Sequence, residues 1–139
     1  MYGLYYNAMK TIFITGASSG IGQALAVEYA KRYQSAGVNL GLVARRSEHL
    51  QSLATQLSQR YQAKCHVYAC DVRDANALAD ASQDFMQQAG TPNIVIANAG
   101  VSRGTLTEYQ EDIATFQAVM DINVMGMVHT FQPFLAAMK

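Results

Sequence analysis

One glycine-spaced segment, Thr15-Gly16-Ala17-Ser18-Ser19-Gly20-Ile21-Gly22, constrains this chain more than any other. An apolar run, Thr11 to Ile14, precedes it and reads as a strand, and Gln23 to Tyr33 follows it and reads as a helix. A strand, a glycine turn and a helix N-terminus together form an anion site. The first N–H groups of a helix lack partners within it, and the macrodipole puts partial positive charge there. A pyrophosphate suits that place. Gly16 is expected to permit the tight turn, Gly20 to let backbone approach phosphate, and Gly22 to let the helix pack closely against the strand. The spacing is G-x-x-x-G-x-G. A lone glycine triplet reads equally well as a turn that merely reverses the chain; the strand before it and the helix after it favour dinucleotide binding.

The 139 residues suit one domain with a real core, and half of them are apolar. Ten basic and ten acidic side chains cancel, so neither a nucleic-acid footprint nor a polybasic membrane patch is expected. No apolar run approaches a membrane span. Cys65 and Cys70 are five apart on one expected strand, which puts them on opposite faces and prevents a bridge between them. His49, His66 and His129 are isolated, with no metal-ligand spacing. Reduced thiols in a cytoplasmic protein are the simplest reading. Residues 1–8 are tyrosine-rich and lack the basic start and long apolar stretch of a signal peptide. They read as an extension ahead of a start at Met9, with residues 9–139 as the domain.

Strand and helix alternate along the chain without a linker or repeat. Val38 to Val43 is the second strand. Ser47 is placed to cap the next helix, where Leu50, Leu53, Ala54 and Leu57 share one face. His66 to Ala69 is the third strand, Asp74 caps a helix running to about Ala89, and Gly90 ends it. Asn93 to Ala97 is short and apolar, as a buried parallel strand should be. A long helix follows, about Asp112 to Met138, with a broad apolar stripe and an expected kink at Pro133, which cannot donate to the carbonyl of His129. The fold class is therefore α/β: a doubly wound parallel sheet of the Rossmann type with right-handed crossovers, ending after about four strands and the long helix.

The end of the second strand is a further cue. A dinucleotide fold meets the adenosine ribose there, and an NAD site offers a carboxylate to its 2′-hydroxyl. This chain has no Asp or Glu between Glu28 and Glu48 and offers Ala44-Arg45-Arg46 instead. Guanidinium forks suit a 2′-phosphate, so NADP(H) is expected over NAD(H), although two arginines at a helix start are also common as solvated side chains. Asp71 and Val72 follow the third strand, where an aspartate can accept from an adenine amino group or simply make a turn. Asn98-Ala99-Gly100 ends the fourth strand, at the carboxyl edge where open α/β sheets bind ligands.

Taken together, the glycine segment, Asp71-Val72, Asn98-Ala99-Gly100 and Asn123 within Asp121-Ile122-Asn123-Val124-Met125-Gly126 resemble the short-chain dehydrogenase/reductase family over nearly all of Lys10 to Lys139. The resemblance implies that Gly16 to Gly22, with Ser18, Ser19, Gly20 and Ile21, hold the pyrophosphate and that Arg45 and Arg46 hold the 2′-phosphate. It implies that Asp71 and Val72 line the adenine site, and that Asn98, Ala99 and Gly100 sit near the nicotinamide ribose. Asn123 would hold the water of a proton relay; its plainer reading is a polar residue on a helix face. The implied substrate is a small carbonyl or alcohol, and the long helix, residues 112–138, would help form a homo-oligomer interface. Without further strands it would expose a large apolar patch.

The family's chemistry uses a serine and a Tyr-x-x-x-Lys pair beyond the long helix, the lysine lowering a phenol pKa that is ordinarily about 10. This sequence ends at Lys139 before them. Tyr6-Asn7-Ala8-Met9-Lys10 matches the pattern literally but precedes the first strand, and is rejected. The 139 residues are accordingly expected to bind a nucleotide without reducing a carbonyl by themselves. Two other readings remain open at this point: a nucleotide-binding module without catalysis, and a remnant whose apolar helix only associates.

Overall fold

The computed structural model describes residues 8–139. The expected extension, apart from Ala8, lies outside the described residues, as does Tyr6 of the rejected match. The elements are β1 (Lys10–Thr15), α1 (Gly20–Arg32), β2 (Val38–Ala44), α2 (Ser47–Tyr61), β3 (Lys64–Ala69), α3 (Ala75–Ala89) and β4 (Ile94–Ile96). After β4 come a 3₁₀ turn (Gln110–Asp112), α4 (Ile113–Met120), a π-helical segment (Asp121–Met125) and α5 (Gly126–Met138). The strands form one parallel sheet in the order β3-β2-β1-β4, with Ile12 beside both Leu40 and Ile94.

Side chains alternate across the sheet, and the alternation sorts the core into two layers. Ile12, Ile14, Leu40 and Leu42 point to one face, where Ala26 and Ala30 of α1 and Leu50, Leu53 and Leu57 of α2 cover them. Phe13 and Val43 point to the other, covered by Leu78 and Phe85 of α3 and Phe134 of α5. Phe13 is the hub of that second layer, with ring centroids 5.3 Å from Phe85 and 4.8 Å from Phe134. Gly41 makes room for it, since a Cβ there would lie 2.5 Å from Phe13 Cδ2. Cys65 packs into the first layer and Cys70 into the second, so the two thiols lie on opposite faces, as their spacing requires.

The winding direction reverses between β3 and β4. α1 and α2 lie on one face of the sheet, α3 and α5 on the other, and β1 sits between β2 and β4. That reversal opens a crevice beyond the carboxyl ends of β1 and β4, the switch point at which doubly wound sheets bind ligands.

Most element boundaries differ from expectation by no more than three residues, and two differences have identifiable causes. Ser47 does not cap α2. β2 runs one residue further than expected, Arg46 takes the N-cap place with extended backbone (φ −97°, ψ 106°) and no side-chain bond, and Ser47 becomes the first helical residue. The long helix is not one regular helix: a π-helical segment at Asp121–Met125, around Asn123, divides it, and Pro133 lies inside α5. Asp74 caps α3 as expected, accepting from the Ala77 N–H at 3.0 Å, and Gly90 ends it with φ +84°. Along α4 and α5, Ile113, Phe116, Val128 and Leu135 are half exposed or more.

Candidate nucleotide-binding cleft

The turns after all four strands converge on the crevice. It is a cleft of about 340 Å³ lined by Gly16 and Ser18–Ile21 after β1, Arg45 and Arg46 after β2, Cys70–Val72 after β3, and Asn98–Val101 after β4. Every expected cofactor residue except Gly22 therefore lines one place, with Ala44, Cys70, Val101 and Ile122 added to the lining. Asn123 stands just behind this wall.

The floor of the cleft is held by Thr15, which is fully buried at the end of β1. Its Oγ1 accepts from the Asn98 N–H at 3.1 Å and from the Ala99 N–H at 3.3 Å. The Asn98 side chain answers by donating from Nδ2 to the Gly16 carbonyl at 3.2 Å. The loops after β1 and β4 are thereby fastened to each other. The approach is so close that Gly16, with φ +67°, has no room for a side chain: a Cβ would lie 2.8 Å from Asn98 Nδ2. Gly22 is tighter still, since a Cβ there would lie 2.2 Å from the Gly16 carbonyl oxygen.

The opening turn of α1 faces the cleft with its donors available. Ser19 occupies the N-cap place without a side-chain bond, and no acidic residue stands in the first turn. The helix N-terminus therefore keeps both its N–H groups and its partial positive charge for an anion. Beside Gly20 the space is open, with nothing within 4 Å of where a Cβ would stand. Arg45 and Arg46 are exposed and make no salt bridge among the described residues. A helix terminus and two uncommitted guanidinium groups across about 340 Å³ fit a dinucleotide carrying several phosphates.

The other walls are more committed. Arg73 grips the Asp71 carboxylate, donating from its backbone N–H at 2.9 Å, from Nε at 3.1 Å and from Nη2 at 2.7 Å. The guanidinium hydrogen bond is the main reason the Asp71 carboxyl is held below its usual range. Burial pushes the Cys70 thiol up to about 11, with Asp74 and Asp71 adding to the effect, so this wall presents a neutral sulfur. Asn123 uses both ends of its amide on one residue: Oδ1 accepts from the Val101 N–H and Nδ2 donates to the Val101 carbonyl, each at 2.8 Å. Val72 is buried and takes a bond from the long helix, His129 Nδ1 standing 2.8 Å from its carbonyl oxygen.

The model of the short chain dehydrogenase family matches residues 10–139. The chain belongs to that family. It is 38% identical over 122 residues to 11-beta-hydroxysteroid dehydrogenase A of Sesamum indicum, covering 88% of this chain and 34% of that protein. Among solved structures, an alcohol dehydrogenase from Thermococcus sibiricus complexed with 5-hydroxy-NADP shares 32% identity and a TM-score of 0.83, covering 92% of this chain and 52% of that one. Carveol dehydrogenase from Mycobacterium avium in complex with NAD shares 27% identity and a TM-score of 0.82, covering 94% and 50%. The chain thus spans about a third to a half of the length of relatives it matches. An NADP derivative and NAD both occur among the structures this chain resembles.

Sequence reasoning missed the fastening role of Thr15, the lining residues Ala44, Cys70, Val101 and Ile122, and the part played by His129. Thr15 was visible as part of the glycine segment, but its bonds join positions more than 80 apart. Cys70 and Val101 each adjoin a recognised motif and Ala44 opens one, and that adjacency was the available signal.

Proposed function

We propose that this chain holds NADP(H) in the cleft and forms the cofactor-binding portion, residues 9–139, of a reductase acting on a small carbonyl or alcohol. The observation that carries the reading is the pair Arg45 and Arg46 at the end of β2, exposed at the cleft and free of any salt bridge among the described residues. An NAD site would offer a carboxylate to the ribose 2′-hydroxyl at that strand end; two cations offer charge-assisted bonds to a 2′-phosphate.

In this reading Gly16, Ser18, Ser19, Gly20, Ile21 and Gly22 take the pyrophosphate at the N-terminus of α1. Asp71 and Val72 line the adenine end, and Asn98, Ala99 and Gly100 border the nicotinamide ribose. Asn123 fixes the Val101 backbone and keeps one N–H and one lone pair for a relay water. When bound, the nicotinamide supplies or accepts a hydride. The proton belonging to that exchange is assigned, by family resemblance, to a Tyr-x-x-x-Lys pair and a serine that are not among residues 105–139. The 139 residues are therefore expected to bind NADPH without turning over a carbonyl. The apolar face of residues 112–138 is assigned to contact with a second copy, and the cytoplasm is the compartment in keeping with two cysteines that cannot bridge each other.

The test is Arg45→Asp. Losing a charge-assisted pair and introducing a like charge should weaken NADPH about tenfold to a hundredfold in calorimetric titration, while NADH changes far less. Equal loss for both nucleotides would defeat the phosphate assignment. NADPH-dependent carbonyl reduction by the 139-residue chain would defeat the division of labour.

A further inference from the structure

The long helix touches the cleft at two separate points. Asn123 holds Val101 at the first. At the second, Gly126 and His129, three apart and so on one helix face, both meet Val72. Gly126 lets the helix lie flush, since a Cβ there would stand 2.7 Å from Val72 Cγ2. His129 places Nδ1 2.8 Å from the Val72 carbonyl oxygen. A carbonyl oxygen can only accept, so Nδ1 carries the proton.

Val72 is an unusual place for such a bond. It lines the cleft and is only 7% exposed. The segment from Cys70 to Asp74 is tied at both ends: the Cys70 N–H reaches the Ala44 carbonyl at 3.1 Å, and Asp74 caps α3, its Oδ1 accepting from the Ala77 N–H at 3.0 Å and its carbonyl from the Leu78 N–H at 3.1 Å, while Arg73 and the Asp74 N–H bond back to Asp71. Between those ends, the Val72 carbonyl is where this wall of the cleft is hydrogen-bonded to α5.

We propose that His129 is a positioning residue for nucleotide binding: its Nδ1–H holds the Val72 carbonyl and through it sets the wall formed by Cys70, Asp71 and Val72. The inference rests on the NADP(H) reading of the cleft. An N–H donor is the property that matters. Asparagine carries its amide nitrogen the same number of bonds from Cα as His Nδ1, so it can donate to the same carbonyl; leucine has similar reach and no donor.

The experiment compares wild type, His129→Asn and His129→Leu of the full chain by calorimetric titration with NADPH, with thermal melts in the absence of ligand. His129→Leu should weaken NADPH about threefold to tenfold, and His129→Asn should stay within about twofold of wild type. A Leu variant with a lowered melting temperature and unchanged affinity would overturn the proposal, leaving His129 a purely structural role. Equal losses in Asn and Leu would also overturn it, since ring shape rather than the donor would then matter. Should the Leu variant not fold, His129→Ala makes the same comparison with Asn. A wild-type chain that does not bind NADPH would remove the cofactor reading and this inference together. A wild type that binds, beside a Leu variant that binds equally well, would remove only the role of His129.

Discussion

Replacing Thr15 by valine would delete one oxygen and leave the shape of the side chain almost unchanged. Thr15 is fully buried, and its Oγ1 accepts from the N–H groups of Asn98 and Ala99. Valine keeps the β-branch and the volume, so no cavity opens and strand preference is retained. Two backbone donors lose their acceptor together. An orphaned buried donor costs about 1–3 kcal/mol, but Asn98 and Ala99 are only half-buried and water relieves part of this, which puts the pair at about 2 kcal/mol. For a domain of 139 residues each kcal/mol lowers the melting temperature by about 3–5 °C, so Thr15→Val should melt about 6–10 °C below wild type. Thr15→Ser retains the acceptor and loses one methyl group, about 1 kcal/mol or about 3–5 °C. Thermal denaturation followed by circular dichroism separates the two. NADPH affinity should follow the same order, because the loops after β1 and β4 both line the cleft. A valine variant melting with wild type, or a serine variant as damaged as valine, would refute the claim that this oxygen fastens the two loops.

Two further outcomes are expected. Gly22→Ala gains helix propensity of about 1 kcal/mol, yet its Cβ would meet the Gly16 carbonyl at 2.2 Å, a backbone contact that cannot swing aside. The net effect should be a destabilised chain with little NADPH binding, and an alanine variant that is both stable and competent would contradict the packing. Burial pushes the Cys65 and Cys70 thiols up to about 11, from an ordinary 9.0. A thiol whose folded pKa is raised contributes stability that is fully present below the unfolded value and is lost as pH rises through the folded one. Chemical denaturation should therefore show stability falling between about pH 9 and about 11, with a shallower fall in a Cys65→Ala, Cys70→Ala double variant; an identical slope would assign the loss to other groups. Tyr68, its phenol raised by burial and by its hydrogen bond to Asp84, adds to the fall in both proteins.

Much of this molecule was written in local pattern. Apolar strand runs, the caps at Asp74 and Gly90, and alternation of strand with helix depend on residues within a few positions of each other, and each proved sound. So did the gathering of four short motifs at one edge, because a parallel doubly wound sheet brings every strand's carboxyl end to the same side. Failures of the reading fell where local preference was overruled. Ser47 has the right side chain for a cap, but β2 reached one residue further and Arg46 took the position. The long helix reads as one continuous element, yet a π-helical segment divides it at Asp121–Met125, around the two-ended grip of Asn123 on Val101.

By itself, then, the sequence determined the fold class, the family and most of the cleft lining, since glycine spacing and hydrophobic period are properties of short stretches. Only tertiary structure decided how the cleft is fastened. Thr15 bonds to Asn98 across 83 positions, Asn98 returns to Gly16 across 82, and His129 reaches Val72 across 57. No local propensity specifies such pairs. They exist because close packing of two helical layers on one sheet leaves buried backbone groups that must find partners, and the partners are whichever side chains the topology brings within reach.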